Sequence, residues 1–298
     1  LVAGLKNQTG QEVRMMASPE QMAEYLGNRD TVALGLSVPS DLDQTLLSGE
    51  QVVLEGYTVH WATESEAGKI RDFFESRLSQ LAGTSIRIET AENIVFTQED
   101  SRGFAFLASV SMVLAIIFLG LLVSPQLMVE ERRARTLDIL MVSPASPGQL
   151  IVGKALACLF FSLVAAGVAL LINSFIVVHW GLALLTAICG SLFAVSLGLL
   201  MGSLLKVIQQ IQIFTWVLFI PLVIPVFLTL ISDRLPSALS TGLQWVPTVA
   251  LTSAFRVSFA ESATLAAFAP ELGIVLGYSG VIMALVAWIV RRSDRVGS

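Results

Sequence analysis

The chain has 298 residues, 54% of them hydrophobic and only 14% charged, with a net charge of −5 and a mean hydropathy of +0.75. Soluble domains carry about 25% charged residues, so these values exclude a soluble globule for the chain as a whole. The charge is also segregated: residues 1–103 hold sixteen of the 23 acidic and eight of the 18 basic side chains, a local net charge of −8, and the remainder is mostly long apolar runs. One polar unit followed by one membrane unit is the expected organisation.

The chain opens on Leu1, not Met, with apolar Leu1–Leu5 running into polar Lys6–Gly10 and no signal-peptide pattern. Delivery of a polar unit across a membrane then calls for a hydrophobic helix ahead of Leu1. The alternative is that the first downstream span is the insertion signal. Residues 11–92 read as mixed α/β. Ser18-Pro19-Glu20-Gln21 is a helix start, with a Ser cap and Pro at the first position. Thr31–Val38 and Gln51–Trp61 are β-prone, the second with Val53, Tyr57 and Val59 in partial alternation. Thr63-Glu64-Ser65-Glu66 is a capping box. It opens a helix with Ile70, Phe73, Phe74, Leu78 and Leu81 on one stripe, closed by Gly83. Ser85–Thr90 alternates as a strand. Strand, helix, strand order suggests a small open sheet with helices on it. The acidic balance is that of a solvated surface, and it also attracts cations.

A spanning helix needs about 20 apolar residues. Five runs qualify: Phe104–Val123, Leu150–Val178, Gly181–Leu205, Val207–Ile231 and Leu272–Val290. Lys154, at the start of the second, is the one charge among them. His179-Trp180 separates the second and third by a tight hairpin, with Trp suited to an interfacial belt. Gly190, Ala194, Gly198 and Gly202 recur every four residues and form a stripe of small side chains that lets helices approach closely. Packing within the chain and a homodimer seam are both open readings of that stripe. Pro221 and Pro225 lie one turn apart in the fourth run and should kink it. Gln209, Gln210 and Gln212 at its start are expected to pack or hydrogen-bond between helices, with contact to substrate as the alternative.

Catalytic patterns are missing. His60 and His179 are the only histidines, both cysteines, Cys158 and Cys189, sit in apolar runs, and there is no HExxH, GxSxG or paired-cysteine ligand set. Gly148–Lys154 matches GxxxxGK. Ala155 then stands where Ser or Thr must ligate magnesium, no strand precedes it, and its residues are apolar. An intramembrane enzyme or ion-coupled carrier would place ionisable groups at membrane depth. No metal, catalytic or cofactor-binding residues are expected in this chain.

The most specific stretch is residues 129–154, VEERRARTLDILMVSPASPGQLIVGK. A charged start, then Leu137, Ile139, Leu140, Met141 and Val142, then Ser143-Pro144, describe a short amphipathic helix at the membrane face. This stretch resembles the loop between the second and third helices of ABC-2 type exporter permeases. The residues carrying the likeness are Glu130-Glu131-Arg132, Arg135-Thr136-Leu137-Asp138, Ile139-Leu140, Pro144-Ala145-Ser146 and Gly153-Lys154. Arg135 stands where that family usually has Gly. Residues 32–49 and 243–258 resemble outer segments of the same permeases. The resemblance covers nearly the whole chain. It implies a helical polytopic membrane domain of six spans, five visible and an N-terminal one missing, plus a small extracytoplasmic α/β domain. The domains are then 1–103 outside and 104–298 as permease, with a cytoplasmic coupling loop 124–154 and an outer loop 232–271. The implied function is efflux driven by a separate ABC ATPase, which binds the ATP and Mg. A second permease copy or homologue completes the transporter in a prokaryotic cell membrane. Glu130, Glu131, Thr136, Leu137, Leu140 and Pro144 would contact the ATPase. The competing reading is a membrane-anchored receptor or assembly factor that binds through its outer domain.

Orientation follows from basic residues in short connections. Arg132, Arg133, Arg135 and Lys154, then Lys206, then Arg291, Arg292 and Arg295 mark three alternate connections; the opposite side has Arg234 and Arg256. The basic side is expected to be cytoplasmic and residues 1–103 outside. A cysteine at Ser65 should therefore react with an impermeant maleimide on intact cells. Labelling only after lysis would reverse this orientation.

Overall fold

The computed structural model describes residues 14–39, 42, 45–46, 51–90, 93–133, 147–205 and 207–296. They fall into two compact units: Leu1–Leu107 with Phe259–Glu261, and Ala108–Ser258 with Ser262–Ser298.

The first unit is α/β. Helix α1 (Pro19–Gly27) starts where the Ser18 side chain accepts a hydrogen bond from the Gln21 amide at 3.3 Å, with Pro at the first turn. Strand β1 is only Gly35–Ser37, antiparallel to Glu55–Tyr57 of β2 (Val52–Val59). It is much shorter than the β-prone run Thr31–Val38, because three residues reach a partner and Pro39 follows. Helix α2 (Glu64–Ala82) opens with the reciprocal Thr63–Glu66 capping box and closes on Gly83 at φ +68°, a left-handed position where Gly avoids the Cβ penalty. Its hydrogen bonds from Thr63 hold the Glu66 carboxyl below the usual carboxylate range.

Strand β3 (Ile86–Glu89) pairs in parallel with Val52–Glu55, so β2, α2 and β3 form a crossover unit. Strand β4 (Ile94–Val95) pairs in parallel with Thr58–Val59. Two residues are too few for a periodic signal, so the sequence does not announce β4. Val52, Leu54, Ile86 and Ile88 point to one face and bury against Leu78, with Phe74 and Leu81 beside them. Phe73, expected on the same stripe, is 39% exposed. One residue is a 100° rotation on a helix, and Phe74 takes the inward place. The Ile86 and Ile88 amides are bound by Ser79 Oγ at 2.9 Å and Glu75 Oε1 at 2.7 Å. Side chains of α2 thus occupy two strand donors that would otherwise recruit another chain.

The second unit is helical: α3 (Phe104–Arg133, from Ala108), α4 (Pro147–Ile172), α5 (Trp180–Leu204), α6 (Ile208–Leu228), α7 (Ser237–Gln244), α8 (Pro247–Phe259, to Ser258) and α9 (Leu265–Val296). Among the described residues five stretches are long and apolar enough to span a membrane: Phe104–Leu127, Gly153–Ile172, Trp180–Leu204, Gln209–Arg234 and Leu265–Ile289. Helices satisfy their own backbone groups, which is what an apolar surround demands. Helix α5 is the centre, packed against α4 and α9. Two-thirds (67%) of its span is buried within the chain, against 11% for α6.

Three boundaries differ from the sequence reading. Helix α4 stops at Ile172, and residues 173–178 are mostly turn, with Asn173 Nδ2 donating to the Ala169 carbonyl at 2.9 Å. The hairpin before His179 is therefore longer than two residues. Helix α9 begins at Leu265, seven residues before its apolar run, and so contains Pro270 and Glu271. The connection 232–271 is not an open loop: it holds α7 and α8, and Val249, Ala250, Leu251, Ala254 and Phe255 of α8 are buried.

Leu78→Ala should cost the α/β unit about 2–5 kcal/mol, the range for deleting a buried leucine, whereas Phe73→Ala should cost far less. Hydrogen-exchange protection of β2 amides in the solubilised chain measures both; equal losses would contradict the orientation of α2.

Candidate functional site

The small-residue stripe of α5 meets neighbours within its own unit. Ala194 sits against Gly120 of α3, where a β-carbon on Gly120 would collide with the Ala194 methyl. A β-carbon on Gly198 would come within 2.6 Å of the Gly120 carbonyl oxygen and of Ser124 Cβ. Leu251 of α8 packs over Gly190, 3.1 Å from the place a β-carbon would take. Gly190, Ala194 and Gly198 thus bring α3 and α8 onto α5 with backbones almost touching, and Gly202, one turn on, is buried as well. Of the two readings of the stripe, packing within the chain is the one this geometry displays.

Pro221 and Pro225 lie inside α6. Each lacks a backbone donor, so the carbonyls of Val217 and Pro221 lose their in-helix partners. Thr248 Oγ1, from α8, donates to the carbonyl of Leu222 between the two prolines, at 2.5 Å. Gln209, Gln210 and Gln212 are exposed, so the packing or bonding between helices expected of them is not made within this chain. They precede the part of α6 that neighbours cover. Ile213, Trp216, Val217, Ile220, Ile224 and Phe227 continue one uncovered apolar stripe.

The connection singled out in the sequence is bracketed by helices. Helix α3 carries Glu130 and Glu131 on its last turns and runs to Arg133, and α4 resumes at Pro147. Thr136, Leu137, Leu140 and Pro144 lie outside the described residues. The GxxxxGK segment Gly148–Lys154 falls entirely within α4. A continuous helix is not the strand–loop–helix cradle that a phosphate requires. His60 stacks on Phe96, ring centroids 5.1 Å apart, in the first unit, whereas His179 is the residue before α5 in the second. Among the described residues no three His, Cys, Asp or Glu side chains gather as a metal site.

Sequence reasoning missed a pair of charges. Arg256 of α8 and Glu271 of α9 attract each other, both half-buried in the helical unit. The available signal was the helix-start pattern around Thr264, whose hydroxyl accepts from the Ala267 amide at 3.3 Å. A helix begun there carries Glu271 into the span.

The chain matches the family described as ABC-2 family transporter protein over residues 4–288. It belongs to that family. Comparison with curated proteins and with solved structures returns no match. The chain is therefore a multi-pass ABC-2 transporter permease, a membrane transport component. Membership accounts for the five spans among the described residues. In this permease the α3–α5 contact should tolerate no added side chain. Gly198→Leu should cost about 1–3 kcal/mol or more as overpacking, seen as a lowered thermal aggregation temperature in detergent. Gly167→Leu, in α4 with no atom within 4 Å of its added β-carbon, should leave that temperature unchanged. Equal effects would remove the close approach as the cause.

Proposed function

We propose that this permease couples ATP hydrolysis by a separate ABC ATPase to efflux of a substrate. The supporting observation is the family match over residues 4–288, since ABC-2 permeases associate with an ABC ATPase at the membrane. ATP and Mg are bound by that partner. The loop pattern from Glu130 to Lys154 adds local support: it lies in the basic connection between the first two visible spans. Glu130, Glu131, Thr136, Leu137, Leu140 and Pro144 are the proposed contact, and the loop passes the movement of the ATPase into α3 and α4.

The same reading gives the topology. Residues 1–103 form an extracytoplasmic α/β domain and 104–298 the permease domain, with the C-terminus cytoplasmic in a prokaryotic cell membrane. The basic residues of alternate connections support this. A sixth span ahead of the α/β domain belongs to the reading through the family resemblance. A second copy or a homologue completes the permease, and the uncovered stripe of α6 supports that, because it is the span least covered within the chain.

A bilayer surface would bury the apolar side of the loop equally well, and a charge separates the two cases. An unpaired carboxylate pressed into a cleft on the ATPase costs several kcal/mol. Leu140→Glu should therefore abolish co-purification with the ATPase and the linked ATP turnover, while the permease still inserts; Glu131→Ala should weaken both. Wild-type assembly and turnover in both variants would show that this loop is not the coupling element.

A further inference from the structure

Helix α6 is poorly covered by its own chain and has lost two backbone ladder bonds at Pro221 and Pro225. A helix interrupted in this way takes its local geometry from whatever contacts the interrupted turn. The contact is α8. That helix is held on several sides within the helical unit. Leu251 packs over Gly190 of α5. The Val178 and His179 amides donate to the Ser258 carbonyl at 3.2 and 2.8 Å. Arg256 attracts Glu271 of α9. Helix α8 is thus a fixed body against α5, the α4–α5 turn and α9.

We propose that Thr248 is a positioning residue of the permease: its hydroxyl, held on α8, fixes the shape of α6 between its two prolines. Thr248 is 1% exposed, so water does not compete for the bond. An interhelical side-chain hydrogen bond of this kind makes a modest contribution in a membrane bundle. That is enough to select one arrangement of a turn that lacks its own ladder bonds, and weak enough to be broken and remade. The bond joins the least covered span to a helix held against α5 and the α4–α5 turn. Any change in the bend of α6 during transport must then break this bond or carry α8 along; that consequence, not the bond itself, rests on the proposed coupling to an ATPase.

The test uses the full chain in lipid nanodiscs with Cys158 and Cys189 replaced by alanine. Spin labels go at Ile213→Cys and Phe227→Cys, both exposed on α6 on either side of the prolines, and labelled chain is diluted with unlabelled chain. Fourteen residues of helix put the labelled backbones about 21 Å apart, within range of pulsed electron resonance. Thr248→Val, which keeps the shape and removes the donor, should shift and broaden the distance distribution. Thr248→Ser, which keeps the donor, should restore it. Thr252→Val, on the same helix but bonded to the Thr248 carbonyl within α8, should leave it as in wild type. Should valine prevent folding, Thr248→Ala makes the same comparison. A wild-type distribution without the hydroxyl, or no recovery with serine, overturns the proposal. Neither ATPase nor substrate is present, so this outcome is independent of whether the chain couples to ATP.

Discussion

The helical unit depends on the absence of side chains along one side of α5. In an apolar surround helices gain nothing from hiding apolar groups from one another, since lipid is equally apolar, so close van der Waals contact must hold them together. Gly120 against Ala194, and Gly198 against the Gly120 carbonyl and Ser124, supply that contact between α3 and α5. Gly190 leaves the space that Leu251 of α8 fills. One stripe of small residues therefore seats two helices, and α8 can lie buried only because Gly190 has no side chain. The same close approach makes α5 the helix least able to move.

The hydrogen-bonded buried hydroxyls described in this unit are of two kinds. Most buried hydroxyls bond back to the preceding turn: Ser196 to Phe193, Thr215 to Ile211, Thr252 to Thr248 and Ser279 to Val275. Such bonds satisfy the donor without reaching another helix, so these residues behave as small apolar ones. Thr248 is different, because its partner belongs to α6. Composition does not separate the two kinds. A threonine in an apolar stretch looks the same whether its hydroxyl turns back or across, and only the crossing of α8 and α6 decides. The Arg256–Glu271 pair was hidden for a related reason: an apolar run defines where a span is cheap, not where its helix begins. Helix α9 starts near Thr264 by capping, and its Glu271 feels the attraction of Arg256 from another helix.

What was readable in the chain was local. The Ser18 cap, the Thr63–Glu66 box and the Gly83 stop each rest on neighbours within a few residues, and each appears as its residues suggest; the alternation read through Val53 has the wrong phase, because Val52 and Leu54 turn inward and Val53 is 49% exposed. The small stripe was readable as a stripe, though not as a seat for α8. Helix α8 itself was read as part of an outward connection, because arginine and several hydroxyls dilute its apolar side, and its burial depends on α5. The proposed coupling residues Glu130 and Glu131 continue α3, which the charged segment did not announce: a helix can leave the apolar layer once its backbone ladder is established.

The two extremes of coverage in one unit point to a division of labour. Helix α5 is two-thirds buried and jammed against α3; α6 is covered over only 11% of its span and interrupted by two prolines. Three glutamines at the start of α6 are exposed, and their amides have more hydrogen-bonding capacity than an apolar surround can meet. Lipid would leave those amides unsatisfied if they sat at depth, whereas water at a membrane face or polar groups on another chain would not. The stripe from Ile213 to Phe227 continues directly from Gln209, so one side of α6 offers polar groups at one end and apolar ones along the rest. The second permease chain proposed above would match both ends at once, whereas a uniform hydrocarbon layer matches only the apolar one. Helix α6 is also the span its own chain covers least, and the hydroxyl of Thr248, together with Phe118 of α3 against Trp216 and Phe219, ties it to the helices around α5.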